Sequence, residues 1–178
     1  MQPWNVVVTC RRNGEKGALK ELKFFGRFHP MGFRDVLVGH LEDRPRFLEE
    51  IRKGREVRDP LWRYLRRVIP VDEVFSFTIE TFRERLASVI DGVADRVPPG
   101  PFYVRLERRG HKGEIPTPEV ERDMGGRIIA LHEEKGEASR IDFREFRSVV
   151  AVETFGDVGG VGIILRGEIE KYPFLKVP

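Results

Sequence analysis

Apolar residues recur along this chain in short runs whose period switches between two and three-to-four, the alternation of an α/β protein. Trp4–Cys10 (WNVVVTC) is short and β-branched and predicts a strand. Ala18, Leu19, Leu22 and Phe25 fall at helical spacing within Gly17–Gly26, and His29-Pro30-Met31-Gly32 breaks the chain before a second strand at Val36–Leu41. Arg46–Arg55 reads as a helix with Phe47, Leu48 and Ile51 inward. Asp59-Pro60 opens another, with Pro60 at its first position and Leu61, Trp62, Leu65 and Val68 in one stripe, leaving Arg63, Arg66 and Arg67 outside. Pro70 stops it, and Val74–Phe77 is a third strand. This first half predicts an antiparallel or mixed sheet, similar in outline to a ferredoxin-like unit.

The longest helical pattern follows. Ile79, Phe82, Leu86, Val89, Ile90, Val93 and Val97 form one apolar face, Thr81 and Glu84 fit a capping box, and Pro98-Pro99-Gly100 ends it. Phe102–Glu107 alternates as a half-buried strand, and Arg108–Pro116 is a loop. Thr117 as N-cap with Pro118 behind it starts a helix whose inner face is Val120, Met124, Ile128 and Leu131. Arg140–Phe143, Ser148–Phe155 and Val161–Arg166 read as strands. The expected fold is mixed α/β, a ferredoxin-like part over residues 1–72 followed by a second α/β domain over 73–178.

Composition narrows the function. The chain has 178 residues, 32 Lys+Arg against 29 Asp+Glu, and a single Cys, so neither an internal disulfide nor a Cys-cluster zinc site can form. No apolar run approaches the ~20 residues of a membrane span. Arg11 and Arg12 follow the run Val6–Cys10 instead of preceding it, which is not a signal-peptide pattern. A soluble, cytoplasmic chain is expected. There is no GxGxxG after a strand, no phosphate loop, no HExxH and no GxSxG elbow. The Gly-rich Gly156–Gly162 joins two strands and reads as a turn. His29, His40, His111 and His132 have no metal spacing. These residues imply no cofactor, no metal and no catalysis.

Basic residues carry the remaining signal. Arg outnumbers Lys 24 to 8, and the guanidinium fork matches phosphate oxygens in pairs. Arg52–Arg67 is locally basic and the sequence pI is 9.2, the first footprint of nucleic-acid binding. The densest constellation is Val104–Arg127. A strand delivers Arg105, Arg108, Arg109, His111 and Lys112 to a Gly-jointed loop, and a helix N-terminus with Thr117 and then Arg122 follows. Free N–H groups and a positive dipole end beside such cations suit a sugar-phosphate backbone or a terminal phosphate. Gly125 and Gly126 cost the helix roughly 1 kcal/mol each, which implies that a neighbouring helix or a ligand packs close.

Three motifs in order then resemble the THUMP domain family: F-x-V-x-x-x-R-R-G at Phe102–Gly110, P-T-x-E-x-E-x-x-x-G-G at Pro116–Gly126, and IDF at Ile141–Phe143 where the family has V-D-F. The preceding Val71–Thr78 and the later Val149–Thr154 (VVAVET) fit the same pattern. The resemblance implies tRNA binding at the acceptor end through Arg108, Arg109, His111, Lys112 and the Thr117 helix start. The Arg63, Arg66 and Arg67 cluster is a second candidate. Family members deliver tRNA to a thiouridine synthetase, methyltransferase or deaminase domain. Because the sequence stops at Pro178, the resemblance implies a non-catalytic protein presenting tRNA to a partner enzyme, similar to an adaptor for a tRNA acetyltransferase. Two other readings stay open: a protein-interaction subunit of an RNA-modifying complex, and an enzyme with an unrecognised site.

Overall fold

A computed structural model describes residues 4–177. The chain divides into two compact units, one running up to Val71 and including Ile169–Lys176, the other spanning Asp72–Glu168.

The first unit runs β1 (Val6–Cys10), α1 (Glu15–Leu22), β2 (Gly26–Pro30), β3 (Val36–Leu41), α2 (Arg44–Glu56), a 3₁₀ turn (Pro60–Arg63) and β4 (Leu65–Pro70). Its sheet has the order β2-β3-β1-β4 with every pair antiparallel. This is the split βαβ arrangement of a ferredoxin-like unit. Val7 sits opposite Val38 on one side and Ile69 on the other, and Phe47, Leu48 and Ile51 of α2 are buried. Asp43 caps α2 by accepting from the Arg46 amide at 2.9 Å, with Pro45 inside the first turn.

Two readings of this half need correction. The helix expected from Pro60 to Val68 is only the four-residue turn Pro60–Arg63, capped by Asp59 on the Leu61 amide at 2.8 Å. Leu65–Pro70 is instead a strand, because pairing along β1 satisfies its backbone and buries Leu65, Val68 and Ile69. Apolar residues at 61, 62, 65 and 68 have helical spacing, but the β-branched pair Val68-Ile69 and the free edge of β1 favour the sheet. His29 and Pro30, expected in the break that runs on to Gly32, instead end the edge strand β2 (Gly26–Pro30), where Pro30 is tolerated.

The second unit runs β5 (Glu73–Ser76), α3 (Phe82–Val93), a 3₁₀ turn (Ala94–Arg96), β6 (Gly100–Arg109), α4 (Thr117–Glu133), β7 (Ser139–Ile141), β8 (Ser148–Phe155) and β9 (Val158–Leu165). α5 (Arg166–Lys171) then carries the chain back to the first unit. Val74–Phe77, expected beside the first-half strands, is β5, and it pairs with β9. The sheet order is β5-β9-β8-β6-β7, with β6 parallel to β7 and β8 and the remaining pairs antiparallel. Phe82, Leu86, Ile90 and Val93 of α3 share a core with Phe102, Val104, Leu106, Val120, Met124 and Ile128, as the apolar stripe predicts. The capping box does not form. The Thr81 hydroxyl accepts from the Thr78 amide at 2.9 Å and so serves the preceding turn.

His132 is the buried histidine of this unit. Its Nε2 bonds the Ala94 carbonyl at 3.2 Å, so it is the donor nitrogen, and Nδ1 meets the Ser139 hydroxyl at 2.6 Å. Gly125 is tight for a physical reason: a Cβ there would lie 2.8 Å from Cδ1 of Ile141 on β7, whereas one at Gly126 would meet nothing within 4 Å. A strand side chain, not a helix, occupies the space at Gly125.

Candidate nucleic-acid interface

The candidate residues cluster where β6 leaves the sheet and turns into α4. Ten residues long, β6 lies between β8 and the three-residue β7, so most of one β6 edge lacks a strand. Glu121 of α4 takes over there, accepting from the Leu106 amide at 2.8 Å. The connection reverses through three left-handed residues, Gly110 (φ 90), His111 (φ 47) and Gly113 (φ 87). Glycine carries two of these at little cost. Buried Ile115 anchors the loop in the core, and the Gly156 amide donates to the Arg109 carbonyl at 2.9 Å.

The side chains then separate into committed and available cations. Arg109 is committed. Its side chain is 13% exposed, it contacts Glu153, itself 2% exposed, at 2.5 Å, and its guanidinium lies 5.0 Å from the Phe155 ring centroid. A carboxylate buried to that degree requires a cation, and Arg109 supplies it. His111 is also turned inward. It bridges Asp157 (Nε2, 2.7 Å) and Glu114 (Nδ1, 3.1 Å) and lies 6.0 Å from the Phe77 ring. These bonds, the one to Asp157 foremost, raise its pKa above the ordinary histidine value. Protonated, it pins the loop to the β8–β9 turn.

Arg108 folds back to donate to the Gly110 carbonyl at 2.7 Å, and Arg105 lies 3.7 Å from Glu121. The Nε atoms of both are buried without a hydrogen-bond partner, as is Oγ1 of Thr154, which sits opposite Arg108 in the β6–β8 register. Thr117 is the first residue of α4 but makes no capping bond, because the preceding backbone places Pro116 at the cap. Lys112 at the loop and Arg122 on α4 are exposed and make no ion pair with any described residue. Other α4 charges are spent on α3, Arg83 with Asp123 and Glu119 and Asp91 with Arg127, and just beyond the two helices Lys135 pairs with Asp95. In the first unit Arg63 and Arg66 are exposed, whereas Arg67 donates to the Thr9 hydroxyl at 3.2 Å.

Glu153 and Asp157 are the residues that sequence reasoning missed. Glu153 lies inside an apolar strand, an unusual place for a carboxylate, and that is the signal that could have exposed Arg109 as its counter-ion. Among the described residues, no group of three or more His, Cys, Asp or Glu could hold a metal, and no helix is long and apolar enough to cross a membrane.

No protein-family profile and no curated protein matches the sequence. Solved structures do match. A 4-thiouridine synthetase–RNA complex with bound ATP aligns over 91% of this chain and 41% of that one, at 10% identity and TM-score 0.60. SMU.472, a putative methyltransferase complexed with SAH, aligns over 90% and 41%, at 18% identity and TM-score 0.54. The solution structure of the THUMP domain of THUMP domain-containing protein 1 aligns over 49% and 89%, at 16% identity and TM-score 0.39. The chain is thus a mixed α/β protein with the fold found in the first two, and it spans less than half of their length. This corrects the expectation of a protein outside catalysis, since the fold is one that catalytic proteins carry.

Proposed function

We propose that this chain is a tRNA-binding unit of a tRNA-modifying enzyme, a member of the THUMP family that holds the RNA near its acceptor end for the catalytic chemistry. The observation that carries the reading is the β6–α4 connection. It leaves the cations Lys112 and Arg122 exposed and without ion pairs to any described residue. Exposed cations beside the free N–H groups of a helix N-terminus are the donors that phosphate oxygens meet. Two of the three motifs resembling the THUMP family, Phe102–Gly110 and Pro116–Gly126, fall on this same connection, and a protein of the same fold was solved bound to RNA.

Recognition of this kind rests on backbone, 2′-hydroxyls and unpaired ends more than on base edges in a groove. Affinity therefore falls steeply with salt, by about 0.7–0.9 log units per neutralised phosphate for each log unit of salt. The test is fluorescence anisotropy with labelled tRNA over a salt series. Lys112→Ala and Arg122→Ala should each flatten the slope by about one unit and leave the melting temperature unchanged. Removal of the single-stranded 3′ end should weaken binding. Salt-insensitive binding, or equal affinity for duplex DNA, refutes the proposal.

A further inference from the structure

A second feature suited to RNA lies in the first unit, away from the motifs that suggested tRNA binding. The end of α2, the Pro60–Arg63 turn and the returning C-terminal segment enclose a cleft of about 190 Å³, walled by the cations Arg52, Arg55 and Lys171, by Trp62, Pro173 and Phe174, and by one carboxylate, Glu56, which lies 3.7 Å from Arg52. Sites that take whole small molecules run to about 300–1,000 Å³, so this one admits a single flat group and not a nucleotide cofactor. The indole of Trp62 is held rigidly. Its Nε1 donates to the Ile51 carbonyl at 2.9 Å, and the ring meets Phe174 edge-on at 5.7 Å. Fixed aromatic rings of this kind are what single-stranded bases stack on.

The charges around the ring point the same way. Arg52 and Lys171 share Glu49, at 2.8 and 2.7 Å, which positions both ammonium and guanidinium groups and holds the Glu49 carboxyl down to about 2. Arg55 has no carboxylate partner among the described residues. Its guanidinium lies 5.7 Å from the Trp62 ring centroid, a cation already seated on the stacking surface. Arg58 and Arg63, next to the cleft in the chain, are exposed and make no ion pair with any described residue. An aromatic floor with one uncommitted arginine, Arg55, on it and two more, Arg58 and Arg63, nearby in the chain is the pattern for a base with phosphates on either side.

We propose that this cleft binds one unpaired nucleobase of the RNA, stacked against Trp62 and the Arg55 plane, with Arg55, Arg58 and Arg63 meeting the flanking phosphates. The proposal rests on the RNA-binding reading above and adds a second contact, in the ferredoxin-like unit, selective for single-stranded segments.

Tryptophan emission provides the test, because the chain has two tryptophans and Trp4 is only 3% exposed. The probes are a six-nucleotide oligoadenylate and a 12-base-pair RNA duplex, each followed by emission and by anisotropy of a labelled copy. The oligoadenylate should quench Trp62, and the duplex should bind without quenching. Trp62→Ala should weaken oligoadenylate binding at least about fivefold, with Trp62→Phe retaining most of the affinity. Arg55→Ala, on an exposed side chain that cannot unfold the protein, should weaken it about threefold or more and flatten the salt slope by about one unit. Binding of the oligoadenylate without quenching, or equal quenching by the duplex, overturns the cleft assignment and leaves the RNA-binding reading standing. Quenching by an acidic aromatic peptide but not by RNA overturns it in favour of a protein partner. Absence of any RNA binding by anisotropy overturns both readings.

Discussion

Arg109 belongs to the motif that suggests RNA binding, yet its surroundings make it a structural cation, and Arg109→Ala separates the two roles. The substitution removes the partner at 2.5 Å from Glu153, whose side chain is 2% exposed, and strips a guanidinium from the Phe155 ring. Breaking a buried pair from one side costs about 3–5 kcal/mol, because the surviving charge stays in a low-dielectric site. For a cooperative unit of about 100 residues each kcal/mol lowers the melting temperature by roughly 4–8 °C, so the fall should be about 12 °C or more. An exposed ion pair would contribute only about 0–1 kcal/mol. Urea unfolding followed by circular dichroism measures the difference, and Arg109→Met/Glu153→Met is the control. Removing both charges together should recover most of the loss, since apolar replacement of a whole buried pair is close to neutral. An Arg109→Ala variant within about 1 kcal/mol of the parent, or a double variant that loses the sum of the singles, would refute the argument.

Three further outcomes follow from the geometry. His111 should titrate above the ordinary 6.5 in the folded protein, chiefly through Asp157 and then Glu114. A raised value means its contribution is complete below pH 6.5 and fades as pH rises through the folded pKa; a proton NMR titration in which Asp157→Asn leaves the value unmoved would contradict this. Cys10, whose thiol is pushed up to about 12 by burial and then by Glu15 and Asp35, should resist a disulfide reagent at pH 8 until the protein unfolds. Ready labelling of the native chain would be incompatible with the burial. Gly126→Ala should stabilise α4 by up to about 1 kcal/mol, whereas Gly159→Ala should destabilise by about 1–3 kcal/mol, because its Cβ would lie 2.4 Å from the Phe75 ring. Opposite signs in urea melts would overturn the packing argument.

By itself the sequence determined the elements whose signals are local. Val36–Leu41 and Ser148–Phe155 appear with the bounds their β-branched runs predict, and the Phe82–Val93 stripe is the buried face of α3. The candidate loop was legible too, because positive charge, glycines and a Thr-Pro helix start lie within one short segment. Tertiary structure decided what local pattern leaves degenerate. Leu65–Pro70 became a strand only because β1 offered a partner, and β2, with no hydrophobic signature, exists only as the edge beside β3. The same holds for the charges. Sequence lists Arg109, His111 and Lys112 as equivalent cations, but Glu153 and Asp157, 44 and 46 residues onward, claim the first two. A side chain's availability depends on which carboxylate the fold brings within reach, and that distance is set by strand register, which no local pattern encodes.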